Sequence, residues 1–178
     1  GDGASNQGTT LESCNLAKVW NLPAIFVVED NGYAESTASV WAVAGDQSKR
    51  AAAFGMPSYE LDGNDFFAIH QAAGEAVERA RGGGGPSLIH VKLTRYFGHF
   101  EGDAMTYRQA GEIEAARRER DPLRFFRQRV TEAGVLEAHQ LDEIESEVKS
   151  LIDQSVVLSK AAPPPTPERL LTDVYVSY

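Results

Sequence analysis

The stretch Ala24–Tyr33, "AIFVVEDNGY", decides how the chain is read. Residues 24–29 are a short, almost fully apolar run. Such a run predicts a strand buried on both faces, as in a parallel sheet flanked by helices. "DNGYAEST" then leaves the C-terminal end of that strand as a loop. Upstream, "TTLESCNLAKVWN" (9–21) predicts a helix: Thr9 and Glu12 fit a capping box, and Leu11, Cys14, Ala17 and Trp20 recur near helical spacing. Upstream again is "GDGASNQG" (1–8), in which Gly1, Gly3 and Gly8 let backbone come close to a ligand and Asp2 offers a hard oxygen. A stretch of this kind belongs between a strand and a helix. With no strand before it, the expectation is a sheet incomplete at its N-terminus.

Downstream the alternation continues. "SYELD" (58–62) predicts a strand, "DGND" (62–65) a turn and helix cap, and 65–81 a helix with Phe66, Ile69, Ala73, Ala76, Val77 and Ala80 near helical period. "GGGGP" (82–86) ends it and "SLIHVKL" (87–93) predicts another strand. Strand and helix in alternation predict an α/β fold with a parallel sheet flanked by helices. A polar and aromatic loop follows at 94–110, "TRYFGHFEGDAMTYRQA", too long to be mere connection. Helices are expected at 111–119, 122–132 and 137–160, then an extended "APPPTP" spacer (162–167) and a short tail. Two regions follow: an α/β domain over 1–110 carrying the long loop, and a C-terminal helical extension over 111–178 that packs on that domain or on partner subunits.

Bulk composition narrows the function. The 178 residues carry a net charge of −9, against nucleic acid or an anionic membrane as partner. No apolar run approaches membrane-spanning length. A single cysteine, Cys14, excludes an internal disulfide and suits a reducing compartment such as the cytoplasm; its place on the apolar side of a helix makes it a small core residue.

The chemistry concentrates at two strand ends. In an open parallel sheet, ligands collect at the C-terminal ends of the strands. Asp2 lies just before the first helix and Asn31 just after the strand 24–29. If the strands they follow are neighbours, both reach one edge, where the helix start near Thr9 directs amides and its positive end. A carboxylate, an amide oxygen and such a helix start suit a magnesium–diphosphate group, because magnesium takes one or two protein carboxylates alongside phosphate oxygens and water.

"GDGASNQG…EDNGY", with Asp2 and Asn31 separated by 29 positions, resembles the thiamine-diphosphate motif. The run "GDGASNQGTTLESCNLAKVWNLPAIFVVEDNGYAEST" and the loop "TRYFGHFEGDAMTYR" are similar to alpha subunits of the alpha/beta-type first component of 2-oxo acid and acetoin dehydrogenase complexes. "GHFEGDA.TYR" is most similar to the acetoin group within that family. The resemblance covers essentially the whole chain and implies thiamine diphosphate and magnesium as cofactors. It implies that Asp2, Asn31 and the Tyr33 carbonyl bind the metal, and that Gly3 and Ala4 approach the diphosphate through backbone amides. His99 would meet the diphosphate and the reacting end of the cofactor, with Arg95 ordering the loop. The implied reaction cleaves acetoin to acetaldehyde and a cofactor-bound hydroxyethyl group, which passes to a lipoyl carrier on an acyltransferase component. A beta subunit is the implied partner, in an alpha2–beta2 assembly, and the alpha chain alone is expected to be inactive.

Two departures matter. The usual asparagine pair is Asp30–Asn31 here, and Asp30 adds a negative charge that weakens diphosphate binding unless it points away or is paired. Pyruvate-type and branched-chain-type subunits usually have serine after the histidine; this chain has Phe100, which weighs against a 2-oxo acid substrate and removes the usual phosphorylation site. Pyruvate or a branched-chain 2-oxo acid remains the alternative substrate, and a noncatalytic, N-terminally truncated interaction fragment the alternative of another class. Of the other histidines, His70 and His90 read as packing or surface residues and His139 as solvated. Glu101 and Asp103 read as a solvated charge pair, and the arginines from Arg117 to Arg129 as partners in helix-surface ion pairs. The apolar stripe over 141–152 is either core or an oligomer interface.

Overall fold

A computed structural model describes residues 1–172, apart from the Leu171 side chain; the end of the predicted tail lies outside the described residues. Three strands form a parallel sheet, β1 (Ile25–Asp30), β4 (Ser58–Asp62) and β5 (Ser87–Lys92), in the order β1-β5-β4. The register aligns their ends: Asp30 and Asp62 both pair with Lys92, so all three strands deliver their chain to one edge.

β5 has a partner on each side and is buried from Ser87 to Val91, as its central, largely apolar place in a parallel sheet requires. Its side chains alternate between two cores. Leu88 joins Cys14, Val28, Ala51 and Met56 on one face, while Ile89 and Val91 meet Ala76 on the other. The first face is covered by α1 (Gly8–Val19) and a 3-10 turn at Ala51–Phe54, the second by α4 (Phe66–Arg81). Helices thus flank a parallel sheet, as the alternation predicts. β1 differs from expectation: only Val28 is fully buried, and Val27 is 55% exposed, because β1 borders the described sheet and lacks a covering layer on that side.

Helix starts divide similarly. At α4 the Asp65 carboxylate accepts the amides of Phe67 and Ala68, as the "DGND" signal predicts. At α1 the capping box does not form: Gln7 is the cap residue and makes no side-chain cap bond. The helix begins one residue earlier, at Gly8, which puts Thr9 inside the first turn. Thr10 donates its hydroxyl to the Ala4 carbonyl instead (2.9 Å).

Between β1 and β4 lie a two-residue hairpin, β2 (Tyr33–Ala34) with β3 (Thr37–Ala38), and two four-residue helices, α2 (Ser39–Ala42) and α3 (Gln47–Arg50). Beyond the long loop come α5 (Glu112–Glu119), α6 (Pro122–Glu132) and α7 (Ala138–Ala161). The arginines here pair more widely than along their own helices: Arg129 reaches Asp65 (3.0 Å), and Arg117 stacks on Tyr96 and Phe97. The chain divides into two compact units, Gly1–Arg129 and a second from Val130 onward. In the second unit Leu141 is buried, while Ile144, Val148, Leu151 and Ile152 of α7 are at least half exposed.

Candidate functional site

The site is built around a carboxylate without a partner. Asp2 is 1% exposed, and neither carboxylate oxygen has a hydrogen-bond partner among the described residues. An ionised carboxylate held out of water costs several kcal/mol unless a donor or a cation compensates it. Buried groups of this kind call for a bound water or ion. The donor chemistry, one hard carboxylate beside backbone amides, fits a divalent cation that brings its own oxygen ligands.

Neighbouring contacts bring Asp2 to the C-terminal end of β1. A Cβ added to Gly1 would lie 3.6 Å from the Glu29 carbonyl oxygen. One added to Gly3 would collide with the Ala34 side chain, so glycine is required there by close approach. Residues 1 and 3 therefore flank Asp2 where residues 29 and 34 flank Asn31 and Tyr33. A 3-10 turn over Ala4–Asn6 then leads into α1.

The "DNG" turn is held by two successive Asx turns. Asp30 Oδ1 accepts the Gly32 amide (3.0 Å) and Asn31 Oδ1 accepts the Tyr33 amide (3.1 Å); Gly32 takes the required positive φ of 80°. Asn31 Oδ1 keeps a second lone pair for another ligand. Asp30 has a partner of its own: its Oδ2 lies 2.9 Å from Nε2 of His90, itself 2% exposed. His90 is a buried partner to the turn, a role that a histidine in an apolar strand does not reveal by itself. Asp46 and Glu60 bring carboxylate oxygens within 4.8 Å of His90. That cluster carries its own counter-charges, since Lys92 pairs with Glu60 and Lys49 with Asp46. The bond to Glu60 raises the Lys92 pKa above its ordinary value.

His99 stands on the 94–110 loop and is exposed. Arg95 reaches its Nδ1 at 3.4 Å. A guanidinium only donates, so Nδ1 accepts, and the neutral ring carries its proton on Nε2. Arg95 also donates to the Glu35 carbonyl (2.9 Å) and the Tyr107 hydroxyl (2.6 Å), tying the loop to the β2–β3 hairpin beside Gly3. Asp103 is the loop's organiser rather than a solvated charge. It accepts the His99 amide (2.8 Å), the Met105 amide (2.9 Å) and the Tyr107 hydroxyl (2.7 Å). Those bonds, the Tyr107 hydroxyl first, hold its pKa down to about 2. Tyr107 packs on Tyr33, with ring centroids 5.3 Å apart, and the Arg108 guanidinium lies over the Tyr33 ring, 4.5 Å from its centroid. A cleft of about 490 Å³ opens beside Asn31, Gly32, Tyr33, Thr94 and Arg108. Sequence reading misses the contacts of Asp103 with His99 and Tyr107, for which the spacing of four residues on either side is the one local signal.

With this geometry in view, comparison with known proteins is decisive. The model of the family described as "Dehydrogenase E1 component" matches residues 1–168. The chain belongs to the dehydrogenase E1 component family. It is 60% identical, over its whole length, to the alpha subunit of acetoin:2,6-dichlorophenolindophenol oxidoreductase from Cupriavidus necator, of which it covers 54%. It is 49% identical to the corresponding Bacillus subtilis subunit, covering 53% of it. Identity to the Rhizobium meliloti pyruvate dehydrogenase E1 component subunit alpha is 40% over 98% of the chain and 50% of that protein. The chain thus spans about half the length of the curated E1 relatives it matches. No helix among its described residues is long and apolar enough to cross a membrane.

Proposed function

We propose that this chain is the metal- and diphosphate-holding part of the alpha subunit of a thiamine-diphosphate-dependent acetoin dehydrogenase, acting in the cytoplasm with a beta subunit in an alpha2–beta2 assembly. The carrying observation is the buried Asp2 carboxylate, unpartnered and set at the C-terminal end of β1. Asp2, Asn31 and the Tyr33 carbonyl would hold magnesium, and the amides of Gly3 and Ala4 would meet the diphosphate. Thiamine diphosphate, when bound, supplies the carbanion chemistry that cleaves a carbon–carbon bond next to a carbonyl.

The chain's own residues orient and neutralise. Asp2 and Asn31 would hold a cation that offsets the diphosphate charge. Arg95 braces the loop and fixes the tautomer of His99, leaving an Nε2–H donor for an anionic or developing negative oxygen. Product passes to a lipoyl-bearing acyltransferase component. Higher identity to acetoin-named than to pyruvate-named relatives supports acetoin as substrate.

The test follows dichlorophenolindophenol reduction by the full-length subunit assembled with its beta partner, with magnesium and thiamine diphosphate. Turnover with acetoin and little with pyruvate is expected, and Asn31→Ala abolishes it. Turnover with pyruvate alone would replace the substrate. Turnover with neither would favour a noncatalytic interaction role.

A further inference from the structure

The turn that carries Asp2 is held from outside the sheet. Ser5 is 6% exposed, and its Oγ lies 2.6 Å from the backbone carbonyl of Asp2 and also within bonding distance of Gln47 Oε1. A hydroxyl has one hydrogen, and the Asp2 carbonyl can only accept, so Ser5 donates there. The structure sets Gln47 Oε1 against Ser5, a second acceptor for a single hydrogen; turning the amide end for end, so that its nitrogen donates to Ser5, satisfies both contacts. The two ends of a glutamine amide are nearly identical in shape and are assigned by the hydrogen bonds they make.

Gln47 is 4% exposed and opens α3, a helix too short to persist by propensity alone. Two features fix α3. The Asp46 carboxylate accepts both the amide (2.9 Å) and the hydroxyl (2.7 Å) of Ser48, which lowers its pKa to about 2. Ala51 and Met56, just beyond, are buried in the core beside Leu88. Further bonds run from this segment to the turn. Arg50 donates to the Ser5 carbonyl (2.9 Å), and Asn6 donates to the Ala42 carbonyl (3.1 Å).

We propose that Gln47 is a positioning residue for the Asp2 carboxylate, acting through a hydrogen-bond relay from its amide to the Ser5 hydroxyl to the Asp2 carbonyl and thereby setting the affinity for the divalent cation. The proposal rests on Asp2 being a cation ligand. Gln47 touches neither cation nor substrate. Its effect falls on the backbone of the residue whose side chain would bind metal.

The test measures Mn²⁺ binding, with thiamine diphosphate present, by the full-length protein together with its copurifying subunits. Gln47→Met keeps the length of the side chain and removes the donor. Affinity is expected to fall about fivefold to tenfold, the scale of one buried hydrogen bond. kcat at saturating metal should stay near the wild-type value. Ser5→Ala should lose the same factor, Ser5→Thr should retain affinity, and the double variant Ser5→Ala/Gln47→Met should lose no more than either alone, because both break one relay.

If wild-type protein binds no Mn²⁺, the reading of Asp2 as a ligand fails. If it binds and Gln47→Met binds equally well, the relay alone is overturned. Additive losses in the double variant would also overturn it. If Gln47→Met fails to fold or assemble, the Ser5→Ala and Ser5→Thr pair decides: equal affinities refute the relay, and loss only in Ser5→Ala supports it.

Discussion

The two halves of the candidate site are held in place by different physics. Asp2 and Asn31 belong to backbone fixed by strand register, close packing and short turns: Gly3 fits against Ala34, and Asp30 is anchored on buried His90. His99 belongs to a loop whose order depends on polar contacts among Arg95, Asp103 and Tyr107, with His99 itself exposed. A metal-binding half should therefore be preformed, at the stability of the sheet. The loop half can open at far lower cost than global unfolding. For the proposed chemistry this division is useful, since a rigid anchor holds the cation while a loop admits and releases the reacting end of the ligand.

The largest expected effect falls on the rigid half. Leu88→Ala, at the centre of the sheet, should lower global stability by about 3 kcal/mol, measured by denaturant unfolding. Gly3→Ala should cost about 1–3 kcal/mol by overpacking against Ala34 and weaken cation binding as well. Unchanged stability in either variant would break the contrast. Asp103→Ala should act oppositely, leaving the global midpoint nearly unchanged while amide exchange and proteolysis accelerate across 94–110.

Acid gives a subtler test. The Asp103 pKa is lowered to about 2 in the folded loop. The carboxylate's contribution to loop order is therefore fully present above its unfolded pKa of about 3.9 and is lost as pH falls from there through about 2. Amide protection in the loop, taken relative to the intrinsic exchange rate at each pH, should be flat from neutrality down to that range and fall below it. The smallest effect is that of Tyr107→Phe. Removing the first cause of the shift should move the Asp103 titration upward, toward the ordinary aspartate value, as followed by carboxyl-carbon NMR.

The difference between the halves also explains how much was legible in sequence. β1, β4, β5 and α4 follow from apolar runs, helical spacing and the Asp65 cap, all of which are local signals. Asp2, Asn31 and His99 stand out because turn glycines, strand ends and an overlong loop are also local. Contacts between distant segments left no such trace. Nothing near His90 announces Asp30, sixty positions away, and nothing near Ser5 announces Gln47. The helices around Gln47 are four residues long, too short for a period to register. The failed Thr9 capping box shows the reverse, a local pattern that does not form because the cap lies two residues earlier, at Gln7, directly after the Ala4–Asn6 turn.

The central claim is that the buried Asp2 carboxylate is completed by a divalent cation. Its most direct test is calorimetric titration of Mn²⁺, with thiamine diphosphate present, into wild-type and Asp2→Asn protein, alongside melting of both without metal. Asp2→Asn should lose affinity on the order of a hundredfold or more, since even outer partners of a metal ligand are worth 10–100-fold. The metal-free variant should melt higher than metal-free wild type, because a buried unpaired charge has been removed. Equal Mn²⁺ affinity in the two proteins would contradict the claim.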